Sequence, residues 1–303
     1  MRDGIRLATD VYLPDGPGPF PAIMERTPYG RNEVSRSEIT AADRTPATRG
    51  EIAAYFVRHG YAVVYQDTRG RFGSEGEDRV YADDANDGYD TLEWIAAQPW
   101  CTGKVGMIGK SWSGFSALAM AGTNHPALKA IITVDSTDDR YTDDAHYMGG
   151  ALLGENMGWG CAFFMQQGRA PDPAIVGSRW LKMWKQRLKA IPHPVERWMS
   201  HQTRDAFWRH GSISQNYGAI RAAVYAIGGW EDGYTNSILR LMRGLKAPRK
   251  ALMATVAAVP SSLSSTGRSS VSPINDLRDG PIKTGKPSCL MDGKCLMRER
   301  FCS

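Results

Sequence analysis

The chain has 303 residues, 42% of them hydrophobic and 23% charged, the composition of one large folded domain, or of one domain carrying an insert, and not of a disordered or fibrous protein. No apolar run reaches the ~18 residues needed to cross a membrane, Met1–Leu7 lacks the apolar stretch of a signal peptide, so a cytoplasmic site is expected, and five Cys without a CxxC pair exclude a disulfide scaffold. The net charge of +5 is unevenly shared: residues 251–303 hold seven Lys/Arg against four Asp/Glu, and the near-neutral remainder offers no footprint for a polyanion, so nucleic acid is not an expected partner.

In chain order, Pro21–Met24 reads as a short strand before the turn Thr27-Pro28-Tyr29-Gly30, residues 49–59 as a helix stopped by Gly60, and Tyr61–Tyr65 as a β-branched and aromatic strand. Asp84–Gln98 fits a helix ended by Pro99, Lys104–Ile108 a buried strand, Ser113–Ala121 a helix of small residues, and Ala130–Val134 the next strand. This alternation predicts an α/β fold with a mostly parallel sheet covered on both faces. Residues 140–218 break the rhythm with five of the nine Trp and helix-like stretches, which predicts a helical insertion. The rhythm resumes with a strand at Arg221–Ile227 and a helix at Thr235–Leu245.

After about residue 250 the composition changes. The last 53 positions contain one of the 29 aromatic residues, no His, nine Ser and three of the five Cys, too little apolar mass for a packed core. The expected organisation is therefore a core of 1–140 and 219–250, an insertion over 141–218, and a poorly ordered tail over 251–303.

The segment that carries chemistry is Val105-Gly106-Met107-Ile108-Gly109-Lys110-Ser111-Trp112-Ser113-Gly114. A strand enters a Gly-x-Ser-x-small-Gly turn and a helix leaves it, the context of a nucleophile elbow. Such a turn strains the Ser backbone, so its close neighbours must be Gly or small, as Gly109 and Ser113 are. The helix N-terminus, and the N–H of Trp112 in particular, would face an oxyanion forming at Ser111. A Ser in an ordinary strand–helix turn is the plainer alternative.

Several ordered motifs accompany the elbow: Met1-Arg2-Asp3-Gly4 with Leu7-Ala8-Thr9-Asp10-Val11-Tyr12, Arg26-Thr27-Pro28-Tyr29, Gln66-Asp67-Thr68-Arg69-Gly70-Arg71-Phe72-Gly73-Ser74-Glu75-Gly76, Gln98-Pro99-Trp100, Phe207-Trp208, and Gly228-Gly229-Trp230-Glu231-Asp232. From Met1 to about Lys250 the chain resembles the CocE/NonD-type hydrolases, the group of cocaine esterase, α-amino acid ester hydrolases and X-prolyl dipeptidyl-peptidases. The resemblance implies an α/β-hydrolase fold with an inserted helical cap, and an acyl-enzyme mechanism on an ester, amide or peptide substrate. It implies Ser111 as nucleophile, Asp232 as triad acid, and the Tyr29 phenol and Trp112 N–H as oxyanion donors. No metal or organic cofactor and no membrane partner is implied.

Other eye-catching residues have plainer readings. Asp67 and Arg69 fit a structural ion pair or turn near the elbow. Asp83, Asp84 and Asp87 fit a helix start favoured by its dipole. The Trp of the insertion are mostly packing.

The resemblance also exposes a gap. The family's triad His follows the next strand in a Gly-Pro-Trp-x-His turn, whereas here Leu245–Met253 continues into Ala254-Thr255-Val256-Ala257-Ala258-Val259-Pro260, and no His occurs after His210. None of His59, His125, His146, His193, His201 or His210 matches the motif, so no third triad member is identified. The family's C-terminal β-sandwich is also not recognisable. The joint loss of motif, aromatics and His leads to the expectation of a reading frame disrupted near residue 250, with impaired activity. The alternative is a non-catalytic pseudoenzyme or binding remnant.

Overall fold

Eight strands in the described residues form one sheet whose parallel strands all deliver their C-terminal ends to the same edge. The computed structural model describes residues 1–35, 45, 47–191 and 193–254, and the backbone of 288–290; the sequence expectation for the 251–303 tail falls almost wholly outside them. The elements run β1 (Ala8–Tyr12), β2 (Phe20–Thr27), β3 (Val34–Ser35), β4 (Ala47–Thr48), α1 (Arg49–Arg58), β5 (Ala62–Asp67), α2 (Asp84–Ala96), β6 (Cys101–Lys110), α3 (Trp112–Gly122) and β7 (Leu128–Val134). They continue through β8 (Tyr147–Met148), β9 (Ala151–Leu152), α4 (Glu155–Gln167), α5 (Pro173–Val176), α6 (Trp180–Ala190), α7 (Pro194–Met199) and α8 (Ala206–Arg209) to β10 (Ala223–Gly229), α9 (Thr235–Gly244), β11 (Arg249–Ala254) and β12 (Ser288–Leu290).

The strand order is β11-β10-β7-β6-β2-β5-β1-β12. Strands β11 to β5 pair in parallel, while β1 runs antiparallel to β5 and β12 antiparallel to β1. The predicted strands and helices recur with their ends moved by at most three residues. The strand β1 is not expected from the sequence, because Ala8-Thr9-Asp10-Val11-Tyr12 lacks a long apolar run; Ala8 to Val11 are nonetheless buried in the strand that pairs with β5.

Every residue of β5 is buried, as befits a strand covered on both faces. Ala62 and Val64 join the large core with Leu92 and Ile95 of α2 and Leu118 of α3. Val63 and Tyr65 point the other way, onto Ala53 of α1. Alternation along one strand thus feeds two cores. A capping box starts α1, with the Glu51 N–H donating to Thr48 Oγ1 and the Thr48 N–H donating to Glu51 Oε2 at 2.7 Å.

Between β7 and β10 the chain leaves the sheet. The hairpin β8–β9, which sequence periodicity did not suggest, precedes helices α4 to α8. Their aromatic residues Phe163, Trp198 and Trp208 are fully buried with Tyr81, Trp112 and Phe115 of the core. The insertion therefore sits as a cap on the end of the sheet where the strands stop, the place at which α/β folds gather their ligands.

Candidate active site

Four strand ends converge under the cap. Beyond β2 lies Tyr29, beyond β6 Ser111, beyond β7 Asp135, and beyond β10 Asp232.

Ser111 occupies the turn between β6 and α3 with φ 55° and ψ −122°, a region an L-residue adopts only where the surroundings enforce it. The neighbours show why Gly is needed: a Cβ on Gly109 would stand 2.3 Å from the Ser113 carbonyl, and one on Gly114 2.9 Å from the Gly109 carbonyl oxygen. The turn lifts Ser111 out of the sheet, half-buried, at the N-terminus of α3.

The Tyr29 hydroxyl lies 3.4 Å from Ser111 Oγ and within reach of the Trp112 N–H. Burial raises the Tyr29 phenol above its ordinary value, only partly opposed by those two neighbours, so it stays a protonated donor. The predicted Tyr29, Ser111 and Trp112 are thus brought together. The Trp112 indole turns away: its Nε1–H donates to Asp84 Oδ2 at 2.7 Å, and the ring stacks on Phe163 at 4.8 Å. Tyr29 packs edge-on against Trp159 of α4 at 6.4 Å.

The acidic cluster stands at the start of α2 and also engages side-chain partners. Asp84 is buried beneath the elbow, accepting from Trp112 and from Ser116 Oγ, with Arg26 Nη1 at 3.6 Å. Asp87 accepts from Arg69, and Asp83 from Arg79. Asp84 and Asp87 thus hold tertiary partners while standing in the first turn of α2, and Asp83 pairs locally with Arg79 four residues before it. Asp67 is fully buried and engaged by Arg31 and the Gly73 N–H, a structural role as read.

Asp232 follows β10, half-buried, its Oδ1 accepting from the Tyr234 N–H at 2.8 Å. Burial raises its carboxyl, opposed by that N–H and by Lys110. Three groups that the sequence did not single out stand close by. Asp135, 2% exposed, pairs with Lys110 at 3.6 Å and is pushed up to about 6 by burial and by the Asp232 charge. Asp144 accepts from the Tyr234 hydroxyl at 3.4 Å and faces His146 Nε2 at 3.7 Å. Tyr81 stacks on Trp112 at 4.0 Å and is held in the left-handed region, φ 67°. The consecutive positive φ at Val80 and Tyr81 leave no sequence signature.

No histidine bonds to Ser111 or Asp232. His59 pairs with the Tyr55 carbonyl, His125 with Glu93, His146 with Asn156, His201 with Asp205 and His210 with the Ala82 carbonyl, while His193 lies against Phe164. Among the described residues no group of three or more His, Cys, Asp or Glu is placed to hold a metal ion, and no helix is long and apolar enough to cross a membrane.

A mostly parallel sheet, a strained Ser between strand and helix, and helices inserted over the strand ends define an α/β-hydrolase. The model of the X-Pro dipeptidyl-peptidase (S15) family matches residues 3–257, and the chain belongs to that family. It is 34% identical to the cocaine esterase of Rhodococcus sp. (strain MB1 Bresler) over 267 residues, covering 81% of this chain and 45% of the esterase. It is 26% identical to an Xaa-Pro dipeptidyl-peptidase of Lacticaseibacillus rhamnosus over 245 residues, covering 74% and 30%. Among solved structures, a CocE/NonD family hydrolase from Staphylococcus aureus shares the fold with a TM-score of 0.68 at 22% identity, covering 85% of this chain and 45% of that one. An α-amino acid ester hydrolase superposes with a TM-score of 0.58 at 27% identity, covering 84% and 46%. The chain spans less than half the length of these curated relatives.

Proposed function

We propose that the chain is a serine hydrolase acting on an ester or amide bond, either a simple acyl ester or an X-Pro dipeptidyl bond, through an acyl-enzyme on Ser111. The observation that carries this reading is the strained Ser111 at the head of α3 with the Tyr29 hydroxyl 3.4 Å away. Ser111 Oγ would attack the substrate carbonyl. The Tyr29 phenol and the Trp112 N–H would donate to the oxyanion of the tetrahedral intermediate, which collapses with loss of the alcohol or amine, and water would then release the acyl group. Asp232 would orient an imidazole and stabilise its positive form. Residues 1–140 and 219–250 would form the catalytic core and 141–218 the cap that shapes the acyl pocket.

The 303-residue chain has no His in the family's motif, five of its six histidines hold hydrogen bonds elsewhere, and His193 lies against Phe164. The reading therefore includes slow turnover. Oxyanion donors and binding alone sustain roughly 10³–10⁴-fold acceleration over water, a small part of what a full triad achieves. Exposure to a fluorophosphonate probe, with peptide mapping, tests the nucleophile: labelling at Ser111 that Ser111→Ala abolishes is expected. Hydrolysis of a p-nitrophenyl ester should be weak. Robust, Ser111-dependent turnover would refute the impairment, and absent labelling would favour a binding scaffold.

A further inference from the structure

On the far side of the Tyr29 turn, two cavities lie between the loop of residues 70–78 and the cap. The inner one has a volume of about 220 Å³ and the outer cleft about 870 Å³. Gly70, Gln167 and Arg187 line both, and neither Ser111 nor Asp232 lines either. Arg187, on α6, stands at the neck. Its Nη2 donates to the carbonyls of Phe72 at 2.8 Å and Ser74 at 2.7 Å, clamping the cap to the loop. Those bonds leave Nε and Nη1 free of hydrogen bonds and ion pairs among the described residues.

The inner cavity is also lined by two exposed carboxylates, Glu33, 3.9 Å from Arg169, and Asp172, which accepts from the Ala174 N–H at 2.8 Å; the buried and half-buried carboxylates are held by other groups. Asp67 is held by Arg31 at 2.5 Å, Asp78 by Gln167 Nε2 at 2.9 Å and Arg71 at 3.5 Å, and Glu75 by Arg6 and Arg179. Burial and the like charge of Arg71, outweighing the pull of Asp67 and Asp78, bring Arg187 down to about 10. Arg71 is itself buried and lowered, its Nε and Nη2 spent on the Pro28 carbonyl. At the mouth of the outer cleft α6 adds Lys182 and Lys189, neither in an ion pair, against the single exposed Glu77. A half-buried guanidinium whose nearby carboxylates are already paired to other groups is an arrangement that an anion relieves.

We propose that this cleft binds a small oxyanion, a carboxylate or phosphate group carried on a molecule of small-metabolite size, with the anionic head on Arg187 and Lys182 and Lys189 flanking it. The outer volume lies within the usual range of roughly 300–1,000 Å³ for small-molecule sites, and the inner cavity gives the head room to sit with ordered water. The site is independent of the chemistry proposed for Ser111.

Titration calorimetry on the full chain tests it, with inorganic phosphate and succinate as probes at ionic strength fixed by chloride. Saturable binding of at least one probe is expected. Loss of a charge-assisted contact should weaken it about tenfold in Arg187→Met and in the double variant Lys182→Met/Lys189→Met, while Lys104→Met, at an exposed position elsewhere, binds normally. Phosphate alone binding would assign a phosphate ester, succinate alone a carboxylate, and both a general oxyanion site. The double variant keeps the Arg187 clamp and remains decisive where Arg187→Met fails to fold. Heats no larger than those of chloride, or unaltered binding in the folded variants, would overturn the proposal.

Discussion

Tyr29 owes its chemical potential to two neighbours and its burial. In the proposed mechanism, a phenol beside Ser111 Oγ and the Trp112 N–H, raised by desolvation, would present a proton where negative charge develops in acyl transfer. Removing that donor while keeping the ring should slow the chemistry without unfolding the site. Tyr29→Phe is expected to cut the rate of fluorophosphonate labelling at Ser111 by about 100-fold, the usual cost of one oxyanion donor, with the thermal midpoint little changed. Ser111 stands out in the sequence through its strand–turn–helix context, whereas Tyr29 and Asp232 become candidates only through the resemblance of their short motifs to the family's. Asp135, Asp144 and Tyr81 lie in no such motif. Asp135 follows β7 in an unremarkable Val-Asp-Ser run, and only the parallel pairing of β7 with β10 brings it against Asp232.

The elbow shows how an element imposes a residue's conformation. Strand β6 and helix α3 meet at an angle that leaves Gly109 in contact with Ser113, with no room for a side chain. Gly109→Ala must push α3 off the sheet or relax the Ser111 backbone. Overpacking of this kind costs about 1–3 kcal/mol, so a lower urea midpoint together with lost Ser111 labelling is expected. A control at Gly233, where a Cβ would meet nothing within 4 Å, should leave both unchanged. The Gly spacing revealed the turn in the sequence. The anchor beneath it, Trp112 held by buried Asp84 from α2, leaves no mark in the sequence because the two partners lie far apart along the chain.

At the scale of the whole molecule, the same convergence of strand ends stores like charge. Asp135 and Asp232 lie on adjacent loops with Lys110 as the counter-charge. The Asp135 carboxyl, raised from 3.8 to about 6, binds its proton more tightly in the folded than in the unfolded chain. Its contribution to stability is therefore full below the unfolded value and is lost as pH climbs from about 4 to about 6. Asp135→Asn should flatten that limb and raise stability at pH 7 by about 1–3 kcal/mol, measured by urea unfolding between pH 4 and 8. Asp139, held down at about 2 by Arg204, Ser214 and two backbone N–H groups against the effect of its burial, acts with the opposite sign. Its contribution is lost as pH falls below the ordinary aspartate range, so the two effects occupy separate pH windows.

Sequence by itself determined the strand–helix alternation, the Gly-framed Ser turn and the motif residues at the strand ends, because these depend on local sterics and on periodicity within a few residues. It also carried the absence of a His after residue 210. Only the tertiary structure decided which carboxylates face one another, which histidines are already engaged, and that Arg187 stands between two cavities with donors to spare. Those outcomes depend on desolvation and on contacts between segments dozens of residues apart, and neither is written in any local pattern.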